Sequence, residues 1–229
     1  MVQSGPVTAR AQSTATRWWW VRHAPVMDDR GCIYGQLDLS ADCSDRPAFE
    51  GLARRLPQGA VWLTSHLMRT KETAAAISAA GLPAPAPRED RALAEQSFGA
   101  WQGQKRAEIH RRFSAWPGFW LAPADHAPPE GESFATVVAR VAQAIARHTA
   151  SHAGQDIVAV AHGGTIRAAL AVALDLAPAA ALAFSVDNLS LTRLDHIAGD
   201  GAEAWRVVTV NQSPNAERTS AEPYGVKLA

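Results

Sequence analysis

Three short apolar runs of the chain each lead into side chains suited to gripping and attacking an anion. The first leads into Arg22 and His23, the second into Ser65 and then Arg69, the third into His162 with Gly163 and Gly164 behind it. Arginine is planar and permanently charged, and its N–H groups match phosphate or carboxylate oxygens two at a time. A helix starting after His162 would add backbone N–H donors and the positive end of a dipole. Two arginines and two histidines in one crevice suit a phosphoryl group, whose oxygens engage several donors at once; a carboxylate needs fewer cations. Taken singly, each residue has a plainer reading: a solvated histidine, a surface arginine, a glycine pair that permits a tight turn. The joint pattern points to a site.

The elements that must position these residues can be read from periodicity. Residues 18–21, 61–63 and 157–161 read as buried strands, each followed by a polar residue and then helix-like sequence. That order describes β-α units and a mainly parallel sheet. In such sheets ligands bind beyond the carboxyl ends of the strands, where the candidate residues fall. Residues 67–80 and 165–174 read as helices. Phe134, Val137, Val138, Val141 and Ile145 form an apolar stripe at helical spacing, with Arg140, Gln143 and Arg147 on the other side. Residues 189–194 alternate, Gly199 to Gly201 turns, and 205–210 return, which is an antiparallel hairpin at a sheet edge. Three prolines place 81–88 in a loop. The expected fold is a three-layer α/β/α sandwich, mainly parallel, with an antiparallel edge hairpin and a helical insertion over 104–152. It is expected as one domain over 1–229, with a core of about 17–211 between two tails; no internal repeat is evident.

At 229 residues, 47% hydrophobic and 19% charged, the chain can bury a substantial core. Lys+Arg and Asp+Glu are 22 each, and no long basic run occurs, so nucleic acid is not an expected partner. Cys32 and Cys43 are too few for a disulfide framework or a thiolate zinc site, and a reducing, cytoplasmic location is expected. No apolar stretch is long enough for a membrane span. The first sixteen residues lack acidic side chains and lack the apolar core of a secretory signal. They read as a bacterial-type tail, although their composition also fits an organellar transit peptide. His148 and His152 lie one helical turn apart with no third ligand, so they read as structural or solvated, and no metal or cofactor is expected. The sequence sets no oligomeric state.

The ordered motifs resemble the histidine phosphatase superfamily, the phosphoglycerate-mutase-like fold. They are Arg22-His23, the S-x-L-x-R-x-x-x-T run at Ser65, Leu67, Arg69 and Thr73, LAEQSFGAWQG at 93–103, PEGES at 129–133, AHGGTIR at 161–167, and Asn188. The resemblance implies roles. His23 would attack phosphorus as the nucleophile, and Arg22, Arg69, His162 and Gly163 would hold the phosphoryl oxygens. Glu95 would protonate the leaving alcohol and then help water attack. Covalent catalysis of this kind needs a neutral imidazole, which nearby arginines favour. Within the family, GCIYGQLDLSAD at 31–42 resembles the alpha-ribazole phosphatase branch, which would put Tyr34 and Gln36 against the leaving group; a structural loop fits them as well. The substrate expected is a small phosphorylated metabolite.

Several positions depart from the family pattern. Val26 has no hydroxyl where a small polar residue is usual, Asp29 stands where mutase-like members often carry asparagine, and His66 replaces a frequent proline. Three other activities compete with the hydrolase. A mutase would need extra basic residues; Lys105, Arg106, Arg111 and Arg112 are present, but the mutase-specific run after the acid is not. A non-catalytic phosphate sensor would need neither His23 nor Glu95. A serine hydrolase is excluded because no G-x-S-x-G occurs. The sequence leaves open whether residues 213–229 close over the pocket.

Overall fold

A computed structural model of the chain describes residues 13–113, 121–199 and 201–216. Among them one six-stranded sheet runs in the order β3-β2-β4-β1-β5-β6. Its strands are β1 (Thr14–Arg22), β2 (Val61–Thr64), β3 (Arg88–Glu89), β4 (Asp156–Ala161), β5 (Leu191–Gly199) and β6 (Ala202–Gln212). β3, β2, β4 and β1 are mutually parallel; β5 pairs antiparallel with β1, and β6 with β5. The hairpin therefore forms one edge, as expected.

The tryptophan run is the centre of this sheet, covered on both faces. Trp18 and Trp20 point to one side and stack at 4.9 Å, and the Trp18 indole N–H donates to Thr149 Oγ1 at 3.0 Å. Trp19 points to the other side, donating to Asp156 Oδ1 at 2.8 Å under the Arg193 guanidinium. The first face carries Ile157, Ala159 and Ala161 of β4 under helices α4 (Phe134–Ser151) and α5 (Gly163–Leu174). The second carries Val21, Trp62, Val158 and Val160 under α1 (Arg46–Arg55) and α2 (Met68–Ala79). These are the three layers. The apolar stripe of α4 is buried at Phe134, Val137, Val141 and Ile145.

Of the helical region expected over 104–152, residues 114–120 lie outside the described residues, and the described parts belong to two places. α3 (Arg106–Arg112) lies in a small separate cluster with Ile33, Phe98, Trp101 and Ala122, whereas α4 is part of the layer on the sheet. The loop expected over 81–88 ends one residue early, where Arg88 begins β3. α1 has no counterpart in the sequence reading. It starts on Asp45, whose carboxylate accepts from the Ala48 N–H, with Pro47 in the first turn. After β6, the carbonyls of Ser213 and Ala216 accept from Arg55 Nη1, so residues 213–216 rest on α1. Residues 1–12 and 217–229, on which most of the two tail expectations fall, lie outside the described residues. Among the described residues no helix is long and apolar enough to cross a membrane.

Strand register sets up the site. Arg22 pairs with Ala161 and Thr64 with Val160, so β1, β4 and β2 end within a residue of one level. Adjacent strands lie roughly 4.8 Å apart, so residues leaving those ends are within side-chain reach. His23, His162 and Ser65 are those residues.

Candidate active site

His23 is held by its backbone and left open at one ring atom. Its N–H donates to the Ala161 carbonyl at 3.0 Å, and its carbonyl accepts from Asn188 Nδ2 at 2.8 Å. Ring Nδ1 lies 2.6 Å from the Ala24 carbonyl, which can only accept, so Nδ1 carries the proton. Nε2 is then a lone pair, and it is buried without a partner among the described residues. The Ala24 peptide is fixed in turn, because its N–H donates to Thr73 Oγ1 and Thr73 donates to the Arg69 carbonyl. Burial, with Arg69 and Arg22 adding to it, pushes the His23 pKa well below 6.5 against the Ala24 hydrogen bond, so the ring is neutral.

Among the described residues, Arg22 and Arg69 around it have no carboxylate in salt-bridge contact. Arg69, on the first turn of α2, is fully buried; it donates to the Gly35 and Leu37 carbonyls at 2.6 and 2.8 Å, and its Nε has no partner among the described residues. Its guanidinium lies 5.1 Å from the Tyr34 ring centroid, a cation–π contact. Gly35 permits this wrap: at φ 45° an added Cβ would sit 2.5 Å from Gln102 Oε1. Arg22 donates to the Val186 carbonyl at 2.5 Å, and its Nε is likewise buried with no partner among the described residues. Burying cations among carbonyls is costly unless an anion completes the set.

His162 completes the ring of groups. It is fully buried, its ring centroid lies 5.1 Å from that of His23, and its Nε2 is 2.8 Å from Ser65 Oγ. Burial is the main cause that keeps its pKa well below 6.5, with Arg69, His23 and Arg22 adding to it. Gly163, next in the chain, opens α5; a Cβ there would meet Arg167 Nη1 at 3.1 Å and Arg22 Nε at 3.6 Å. Glu95 sits against the same helix start, its two carboxylate oxygens 3.1 and 3.3 Å from the Gly164 N–H. The Glu95 carbonyl accepts from Gln36 Nε2 at 2.8 Å and from Arg140 Nη2 at 3.1 Å. Arg140 also binds the Glu132 carboxylate, and Thr165 donates to the Ala94 carbonyl, so the segment bearing the acid is anchored from three sides.

The structure thus brings together Arg22, His23, Arg69, Glu95, His162 and Gly163. Tyr34 and Gln36, expected against the leaving group, lie beside site residues: the Tyr34 ring by Arg69, and the Gln36 amide on the Glu95 carbonyl. The sequence reading gave no role to Arg167. It donates from Nε to the Phe184 carbonyl at 2.8 Å, and its pKa is lowered to about 10 by burial first and Arg22 after, against Glu95 and Asp187. Its signal was its place four residues after Gly163, one helical turn along α5.

Other expectations resolve elsewhere. Asp29 pairs with Arg106; burial opposes its ionisation, but that pairing and the Gly31 N–H hold its carboxyl below the usual range. Arg106 also donates to the Cys32 carbonyl, and Lys105 to that of Arg30, so two of the four basic residues weighed for a mutase are tied to a loop. His148 is paired with Asp90. A cavity of about 840 Å³ opens elsewhere, between α4 and the β5–β6 hairpin and lined in part by Thr14, Ile145 and Trp205; none of the expected site residues lines it.

Arg22, His23 and His162 lie at the ends of β1 and β4, and Arg69 lies on the first turn of α2, a set of two guanidinium and two imidazole groups suited to an anion. The comparisons make this specific: the model of the histidine phosphatase superfamily (branch 1) matches residues 18–213, and the chain belongs to that family. A solved mycobacterial glucosyl-3-phosphoglycerate phosphatase, Rv2419c, is 32% identical with a TM-score of 0.72, covering 87% of this chain and 100% of that one. The alpha-ribazole phosphatase of Shigella flexneri is 23% identical with a TM-score of 0.67, covering 86% of this chain and 96% of that one, which is a likeness of fold. The bifunctional protein Rv2228c of Mycobacterium tuberculosis is 34% identical over 157 residues, 69% of this chain and 42% of that protein. The chain therefore spans less than half the length of that curated relative.

Proposed function

We propose that the chain hydrolyses phosphomonoesters through a phosphohistidine on His23. The observation that carries this reading is the buried Nε2 lone pair of a neutral His23 beside Arg22 and Arg69, without a partner among the described residues. Nε2 attacks phosphorus while Arg22, Arg69 and His162 hold the phosphoryl oxygens and Gly163 lets them approach. The ester P–O bond breaks, and the leaving oxygen takes a proton from Glu95. Water then attacks phosphorus and gives a proton to the Glu95 carboxylate; the P–N bond breaks, and His23 is restored with release of inorganic phosphate. Little covalent work falls to the protein beyond this, and most of the acceleration comes from placing charge around the transferring group.

Arg22 and Arg69 supply the positive charge of the site, so turnover proceeds in chelator without added metal. The substrate is a small phosphorylated metabolite. The YGQLD run favours alpha-ribazole phosphate, and the likeness to Rv2419c favours glucosyl-3-phosphoglycerate. Arg106 and Lys105, tied to the loop after β1, favour hydrolysis over return of the phosphoryl group to substrate. We further read 1–229 as one domain, with a core from β1 to β6. Its two unbridged cysteines fit a reducing, cytoplasmic location. The test is a chelated assay of 4-nitrophenyl phosphate, alpha-ribazole phosphate and glucosyl-3-phosphoglycerate, scored for free phosphate. Activity requiring metal, or surviving His23→Ala, refutes the mechanism. Isomerised product without phosphate release indicates a mutase, and phosphate binding without turnover a sensor.

A further inference from the structure

We propose that Ser65 is a positioning residue that fixes which nitrogen of His162 carries the proton, and so makes that ring a hydrogen-bond donor to the phosphoryl group. The inference rests on the reading of His162 as a phosphoryl ligand and adds what makes it one. Ser65 is the first residue after β2 and His162 the first after β4; the pairing of Thr64 with Val160 delivers them side by side. Both are fully buried.

Two proton arrangements fit the Ser65–His162 contact: Ser65 donates to Nε2, or Nε2–H donates to Ser65 and Ser65 donates to Thr70 Oγ1. The Leu67 N–H can only donate, so Ser65 Oγ accepts from it at 3.2 Å. The Thr70 hydroxyl has the Leu67 carbonyl at 2.8 Å and the Ser65 carbonyl at 3.2 Å, and carbonyls can only accept, so its proton goes there. Ser65 then has one proton and two acceptors in reach, His162 Nε2 at 2.8 Å and Thr70 Oγ1 at 3.1 Å. Donation along the shorter contact, to His162, is the arrangement proposed, because the other leaves a lone pair on Nδ1. A neutral imidazole has one N–H, so with Nε2 accepting, the proton is on Nδ1. Nδ1 is buried and has no partner among the described residues. It and His23 Nε2 are the open atoms of two adjacent rings, one a donor and one a lone pair. The opposite tautomer would turn a bare lone pair on phosphoryl oxygens, which repels them. Because burial keeps His162 neutral, tautomer decides whether it helps.

The experiment uses the full chain labelled with ¹⁵N-histidine, with the His162 resonances assigned by their loss in His162→Gln. ¹⁵N chemical shifts report which ring nitrogen is protonated. The wild type is expected to show protonated Nδ1 and bare Nε2, and Thr70→Val to show the same. Ser65→Ala is expected to shift the population toward protonated Nε2. Its kcat on 4-nitrophenyl phosphate should fall about 10- to 100-fold, and inhibition by inorganic phosphate should weaken by a similar factor. Ser65→Thr, which keeps the hydroxyl, should restore both. Protonated Nε2 in the wild type overturns the proposal without any Ser65 variant having to fold. An unchanged tautomer in folded Ser65→Ala overturns it too, even if activity falls, because Ser65 then acts only through packing. Full activity in His162→Gln would instead remove the phosphoryl-ligand role on which the proposal rests.

Discussion

Substituting Arg69 by Met removes a buried guanidinium whose Nε has no partner among the described residues and whose other nitrogens hold the Gly35 and Leu37 carbonyls. Baseline stability changes through the lost carbonyl bonds, so each protein is read against its own phosphate-free melting temperature. A ligand that binds only the folded state stabilises it by RT ln(1 + [L]/Kd), about 2.7 kcal/mol at 100 times Kd. For a chain of this length that raises Tm by about 5–10 °C. A hydrogen bond to a charged group contributes about 1.5–3 kcal/mol. Losing Arg69 should therefore weaken phosphate about 100-fold, a cost of about 2.7 kcal/mol. At the same phosphate concentration the remaining stabilisation is RT ln 2, about 0.4 kcal/mol, and the shift shrinks to about 1–2 °C. The assay is thermal unfolding with and without inorganic phosphate. An undiminished shift in Arg69→Met would refute the claim that this buried cation waits for an anion.

His23 and His162 are both neutral in the folded chain, with pKa values held well below 6.5, so the unfolded chain binds their protons first as pH falls. Stability is then full above about pH 6.5 and is lost on acidification below it, by up to about 1.4 kcal/mol per pH unit for each ring; urea unfolding of His23→Gln between pH 5 and 7 should show a shallower slope than wild type. Glu95→Gln should lower kcat about 10²- to 10⁴-fold on alkyl phosphates. The loss of its first step should be smaller on 4-nitrophenyl phosphate, whose leaving group needs no proton, as a rapid-mix burst of nitrophenol would reveal. Trp18→Ala removes a fully buried ring from the Trp20 stack and should cost about 3–5 kcal/mol in urea unfolding.

Much of the fold was legible because its signals are local. The strands around 18–21, 61–63 and 157–161 are buried on both faces, so they read as unbroken apolar runs, and α4 shows its stripe because one side faces the sheet. β1 begins earlier, at Thr14, because its first residues are held by backbone pairing to β5, from Thr14 opposite Ala198, which composition does not register. α1 escaped because its signals are an aspartate cap and a proline, with few large apolar residues; only Phe49 and Leu52 are buried as such. The candidate site was legible where a residue directly follows a strand, as His23 and His162 do. The links between distant segments were not. Ser65 meets His162 across 97 positions and Gln36 meets the Glu95 carbonyl across 59, and both meetings depend on register and loop path.

The central claim is tested most directly by trapping the covalent intermediate. The full chain would be mixed with ³²P-labelled phosphomonoester, quenched in alkali, where phosphohistidine survives, and mapped by mass spectrometry. The account predicts one labelled residue, His23, phosphorylated on Nε2 and unlabelled in His23→Ala. Label on any other residue, or rapid phosphate release with no phosphohistidine formed, would contradict it.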